Sequence, residues 1–179
     1  MERELVAAAR SGDEAAFASL LEREAPRAFR AVLAIVRSSE DAEDVMQDVS
    51  MRAWRHLGGL HDDGRWAAWY RRIAVREALD RAKRRSRVRE ISIDGAERPD
   101  RSIESTDPTG RWNDRLAVFG ALARMSTEDR ALLGLRFGAD LEVPDVATAL
   151  GIPLGTAKTR LHRALARFAK VMGDPDVDR

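Results

Sequence analysis

An all-α protein is predicted, built as two small helical domains joined by a flexible linker. Ala, Leu, Arg and Glu dominate the 179 residues, while alternating runs of β-branched residues are nearly absent. Apolar residues recur at helical spacing in two long stretches. Between them "SRVREISIDGAERPDRSIESTDPTGRW", residues 86–112, is rich in Ser, Asp, Pro and Gly and poor in large apolar side chains, the composition of a tether. The domains expected are residues 1–88 and 113–173, with a linker over 89–112 and a tail over 174–179.

The spacing predicts a first helix from about Asp13 to Arg37, with Phe17, Leu20, Leu21, Phe29, Val32, Leu33 and Val36 on its apolar stripe and a disturbance at Pro26. In "SSEDAEDVMQDVSMRAWRHL", Ser39 can cap a helix opened by Glu40, Asp41, Glu43 and Asp44, because carboxylates suit the positive end of the helix dipole. Val45, Val49 and Trp54 give that helix a buried side. Gly58, Gly59 and Gly64 mark a loop, after which "WAAWYRRIAVREALDRAKRRSRVR" resumes helical spacing through Trp66, Trp69, Ile73 and Leu79. A second helical region runs from about Asn113 to Met172. It is interrupted at "MSTEDR", where Ser126 and Asp129 suit a capping box, and at "FGADLEVP" and "LGIP". No internal repeat is evident.

Composition excludes several functions. With 44% hydrophobic residues a real core is available, yet no apolar run approaches the roughly 20 residues that cross a bilayer. "MERELVAAARSGDEAAF" lacks a signal peptide's basic start and apolar centre, so a cytoplasmic protein without membrane insertion is expected. There is no cysteine, and only His56, His61 and His162 offer imidazole, so neither a metal nor a cofactor is expected. Phosphate-cradling glycine loops and nucleophile–base sets are not found, which argues against an enzyme.

Charge is segregated although the net charge is only +1. No acidic residue occurs between Asp145 and Asp174, a stretch holding Lys158, Arg160, His162, Arg163, Arg167 and Lys170. "VPDVATALGIPLGTAKTRLHRAL" reads as a short helix, a tight turn at Gly151 and a second helix starting near Pro153 or Leu154, which is helix-turn-helix spacing. At about 100° per residue, Ala157, Leu161, Leu165, Phe168 and Met172 fall on one face. Gly155, Thr156, Thr159, His162 and Arg163 gather on the other, with Lys158 at the flank. Buried by its apolar face, such a helix projects donors suited to phosphates and base edges. The alternative is a merely solvated cationic face; the turn glycine and the segregation of faces favour recognition.

Two further stretches carry surface chemistry. In "RRIAVREALDRAKRRSRVR", cations greatly outnumber Glu77 and Asp80, which suits a polyanion bound through phosphates and therefore in a salt-sensitive way. Trp66, Trp69 and Tyr70 lie just upstream and have two readings: platforms for unstacked bases, or core. In "EDAEDVMQDVSMRAW", Asp44, Gln47 and Asp48 continue along one face beyond the first turn. That face would repel nucleic acid; it suits a basic protein surface or plain solvent.

"DAEDVMQDVSMRAW" followed by "WAAWYRRIAVREALDRAKRR" resembles conserved region 2 of bacterial sigma factors. "LARMSTEDRALLGLRFGADLEVPDVATALGIPLGTAKTRLHRALARF" resembles their region 4. Possession of these two regions alone, around a short linker, is similar to the extracytoplasmic-function group of the sigma-70 family. The resemblance implies an acidic helix (Asp41, Asp44, Gln47, Asp48) that docks on core RNA polymerase. It implies a loop and basic helix (Leu60, His61, Asp62, Asp63, Arg65, Trp69, Arg72, Arg76, Lys83, Arg84) that recognise and open the promoter −10 element. It also implies a recognition helix (Gly155, Thr156, Lys158, Thr159, Arg160, His162, Arg163, Arg167) that reads the −35 element, and an anti-sigma factor as partner. Arg76 stands where the family often has Asn, and Leu60 where an aromatic is frequent. A simple DNA-binding regulator could use the same helix-turn-helix, but would leave the acidic and basic helices of the first domain without a role; an RNA-binding adaptor is a further alternative.

Overall fold

The computed structural model describes residues 1–91 and 111–173, and side chains over 1–85 and 117–173. All the regular structure among the described residues is helical. The expected linker falls largely outside them and the expected tail wholly so. Its edges are helical, since α4 continues to Ile91 and α5 begins at Arg111.

Helix α1 (Glu2–Arg10) is not foreseen by the sequence reading; it buries only Val6 and Ala9, too few to display a period, against α2. Helix α2 (Glu14–Val36) starts at Asp13, whose Oδ1 accepts from the Ala16 amide at 3.0 Å. Phe17, Leu20, Val32 and Val36 are buried as expected, while Leu21, Phe29 and Leu33 are only partly so. Ala28, Ala31, Ala34 and Ile35 complete the buried side, small residues that let neighbouring backbones come close. Pro26 sits on the exposed side and the helix continues through it. Helix α3 (Ser39–His56) is capped by Ser38 and not by Ser39: the buried Ser38 hydroxyl accepts from the Asp41 amide at 3.1 Å.

Two 3-10 turns, Leu57–Gly59 and Asp63–Arg65, then lead into α4 (Trp66–Ile91). The first four helices pack around α2. Their centre is aromatic: Phe17 lies 4.9 Å from Trp54 and 5.7 Å from Trp66, and Trp66 stacks on Tyr70 at 5.3 Å. Trp66 and Tyr70 are fully buried, and the Tyr70 hydroxyl lies 3.3 Å from Ser50 Oγ. They are therefore core, and the base-platform reading fails for both.

The second bundle comprises α5 (Arg111–Ala123), α6 (Thr127–Leu133), a π-helical turn (Gly134–Gly138), α7 (Val143–Leu150) and α8 (Leu154–Gly173). Ser126 caps α6 as expected, accepting from the Asp129 amide at 3.2 Å. Gly151 ends α7 at φ 66°, a left-handed turn that glycine adopts without the clash a Cβ would bring. The two bundles share one continuous apolar core. Arg130, buried in the second bundle, donates to the Met125 carbonyl at 2.6 Å and, across the seam, to Ile35 O at the end of α2, at 3.3 Å. Burial, reinforced by the nearby charge of Arg37, lowers its pKa to about 10, which leaves it charged at neutral pH.

Candidate nucleic-acid and partner surfaces

The acidic start of α3 is only partly free. Asp41 is held from α4 by Arg81, whose Nε and Nη2 donate at 3.1 and 2.9 Å, and by Arg85 Nη1 at 2.5 Å. Arg81 Nη2 also donates to Asp44 Oδ2 at 2.9 Å, and these bonds, Asp41's first, raise the Arg81 pKa above its usual value. Ser38, Glu40 and these carboxylates and arginines wall an open cleft of about 600 Å³. Asp44, Gln47 and Asp48 face solvent, while Asp41 is half-buried. The period of α3 foretells the exposed face. The clamp on it comes from forty residues away and has no local signal.

The loop before α4 departs from its expected form at one residue. Leu60 is buried in the core at 4% exposure and supports the loop from within instead of lining its surface. His61 and Asp62 are exposed, and Asp62 Oδ1 accepts from the Gly64 amide at 3.0 Å, fixing the second turn. Asp63 pairs with Arg10 Nη1 at 2.7 Å, so the unforeseen α1 anchors this loop. Trp69 is half-buried, its ring centroid 5.6 Å from that of Trp66. Along α4, Arg72 is half-buried, and Arg76, Lys83 and Arg84 are exposed. Arg84 donates to Glu77 at 3.3 Å, and Arg52 lies 2.7 Å from the same buried carboxylate.

The helix-turn-helix forms as expected. Ala157, Leu161 and Ala164 are buried and Phe168 partly so, whereas Leu165 and Met172 are exposed; the seam is narrower than the one drawn from sequence because it follows the contacts with α6 and α7. Gly155, Lys158, Thr159, Arg160, His162 and Arg163 stand on the solvent side, with Thr156 half-buried. The Thr159 hydroxyl bonds to its own helix, to Gly155 O at 3.0 Å. Arg167 forms a fork with Asp129 at 2.8 and 2.6 Å, tying α8 to the first turn of α6. No Cβ at Gly155 would meet anything within 4 Å, so that surface is open.

Among the described residues no group of three or more His, Asp or Glu could hold a metal, and no helix is long and apolar enough to cross a membrane. The fold and its charged surfaces define the class: a two-part helical DNA-binding protein with a C-terminal helix-turn-helix. Sigma-70 region 2 matches residues 20–88, and Sigma-70, region 4 matches residues 115–168. The ECF RNA polymerase sigma factor SigM of Mycobacterium tuberculosis is 33% identical over 170 residues, covering 95% of this chain and 84% of that protein. SigL of the same organism is 31% identical over 177 residues, covering 97% and 98%. CnrH, solved in complex with the cytosolic domain of CnrY, superposes with a TM-score of 0.72 at 24% identity, covering 98% of each chain. RpoE of Bartonella quintana, solved with the anti-sigma factor NepR, gives 0.68 at 23%, covering 91% of this chain and 98% of that one, a likeness of fold. The chain belongs to the extracytoplasmic-function group of the sigma-70 family, the factors that direct promoter-specific initiation by RNA polymerase.

Proposed function

We propose that this factor divides its work among three surfaces and carries out no chemistry of its own. The exposed face of α3, made by Asp44, Gln47 and Asp48 with Asp41 behind them, meets a basic surface of core RNA polymerase. His61, Asp62, Asp63 and Arg65, with Trp69, Arg72, Arg76, Lys83 and Arg84 of α4, engage the −10 element; Leu60 holds their loop from beneath. On α8, Lys158, Thr159, His162 and Arg163 read the −35 element, Gly155 and Thr156 admit the backbone closely, and Arg160 and Arg167 serve phosphates. The functional domains are residues 1–88 and 113–173.

Polymerase supplies the catalysis. Contacts to unpaired bases offset the few kcal/mol, roughly, that each flipped base costs in lost stacking and pairing. The factor works in the cytoplasm, and an anti-sigma factor holds it in check, as the NepR complex of RpoE suggests by analogy. The observation that carries this reading is the sorting of α8: small and apolar residues buried, Lys158, His162 and Arg163 all exposed on the outer side of a helix-turn-helix. Run-off transcription with purified core polymerase tests it. Promoter-specific transcripts that need this protein support the reading; DNA binding that neither needs polymerase nor yields transcripts replaces it with a simple regulator.

A further inference from the structure

Two short turns bound the loop that precedes α4, and one side chain of α1 reaches both. Arg10 Nε donates to the carbonyl of Leu57, in the first turn, at 3.3 Å. Its Nη1 lies 2.7 Å from Asp63 Oδ1, in the second. The tip between these points is tied by backbone bonds, from Leu60 N to Leu57 O at 3.1 Å on one side and from Arg65 N to Asp62 O at 2.9 Å on the other. Leu57 and Leu60 are buried beneath it, whereas His61 and Asp62 stand exposed. A guanidinium holds its donors in one rigid plane, so bonding to both turns fixes the span between them as an ammonium held at one point would not.

Helix α1 is itself seated well enough to serve as a support, since Val6 is fully buried and Ala9 nearly so. The Arg10 and Asp63 side chains are 30% and 26% exposed, so water screens their pair only in part. Arg3, the other cation that α1 turns toward the loop, is 76% exposed and stands 3.8 Å from Asp62, a contact that adds little. The support is therefore concentrated in Arg10. It comes from outside residues 20–88, the stretch that matches region 2.

We propose that Arg10 is a positioning residue for −10 recognition: by clipping both turns to α1 it shapes the loop before DNA arrives, so that His61 and Asp62 meet an unpaired base already in place. Ordering a loop at the moment of binding consumes part of the contact energy, and a loop held in advance keeps it. The proposal rests on the reading of this loop as the −10 contact. It adds that selectivity at the −10 element depends on a residue of α1 acting through Leu57 and Asp63.

Arg10→Met keeps the aliphatic stem and removes both contacts, while Arg10→Lys keeps a charge that can pair with Asp63. Hydrogen exchange of the 57–65 amides in the free protein reads the clip. Recognition is read with the core polymerase complex, by its binding to a promoter identified in run-off transcription and to the same promoter with its −10 or its −35 element scrambled. Arg10→Met should retain its helical circular dichroism and exchange faster at the Leu60 and Arg65 amides. It should lose about three- to five-fold of the preference for the intact −10 element, the scale of one partly exposed ion pair, and keep its preference for the −35 element. Arg10→Lys should fall between this variant and the wild type, and carries the test by itself if Arg10→Met unfolds. Unchanged exchange in the folded variants would overturn the clip; faster exchange with an undiminished −10 preference, or an equal loss at both elements, would overturn its part in recognition. A wild type that yields no promoter-specific transcript strikes the sigma-factor reading of the loop instead, so the two failures are distinguishable.

Discussion

Arg81 and Asp41 join α4 to the first turn of α3 through a fork in which Nε and Nη2 both donate to Oδ1, at 3.1 and 2.9 Å. The same carboxylate that belongs to the acidic face thus also fixes where that face begins. Structural and binding roles should separate along α3. Asp41→Ala is expected to lower stability by about 1 kcal/mol, a charge-assisted bond discounted for partial exposure. Asp48→Arg should melt like the wild type and lose co-elution with core polymerase. An Asp41→Ala melt matching the wild type would show that the fork contributes nothing.

Arg163 and Arg167 sit one turn apart on α8 with different surroundings: Arg163 is free at the surface and Arg167 is forked to Asp129. Arg163→Ala is expected to weaken promoter binding with a base-specific component of roughly 1–3 kcal/mol. Arg167→Ala should lower the melting temperature and weaken specific and random DNA alike. Arg84→Ala should chiefly reduce the salt dependence of binding, by about one unit of slope. Titrations on promoter and scrambled duplexes at several salt concentrations resolve the three.

Gly151 holds φ at 66° between α7 and α8. Gly151→Val should cost about 1–2 kcal/mol, the strain of a left-handed backbone under a Cβ, with further crowding from the β-branch. Nothing lies within 4 Å of the added Cβ, so loss of stability in chemical denaturation would report strain and not a clash.

Burial, and then the charge of Glu24, raise the pKa of Glu2. An acid whose folded pKa exceeds its unfolded value is a burden when ionised. Its cost is absent below about pH 4, where both states are protonated, appears as pH rises through the two pKa values, and is complete at neutrality. Glu2→Gln should therefore raise the melting temperature at pH 7 and lose that advantage on acidification. A gain that persists unchanged in acid would point to packing.

Periodicity made α2, α3 and α8 legible, because each buries one side over several turns and a pattern of that length stands above noise. It also exposed Asp44, Gln47 and Asp48 on one face and sorted Lys158, His162 and Arg163 from Ala157 and Leu161 on the other helix. What stayed hidden is non-local. Leu60 occupies a loop by its neighbours and the core by its packing. The Arg10–Asp63 and Arg167–Asp129 pairs span 53 and 38 residues, and no spacing rule announces them. The sequence places the cap of α3 at Ser39, whereas the chain's entry into the helix gives it to Ser38.

Three of the four tryptophans, Trp54, Trp66 and Trp69, and the sole tyrosine lie in the first bundle, all four of these rings within 6 Å of another aromatic centroid. The fourth, Trp112, is in α5. Intrinsic emission is therefore a label written on one half of the molecule. With Trp112→Phe in place, fluorescence would follow the melting of the first bundle while far-ultraviolet dichroism follows both, and the gap between the two midpoints would read out how strongly one half holds the other.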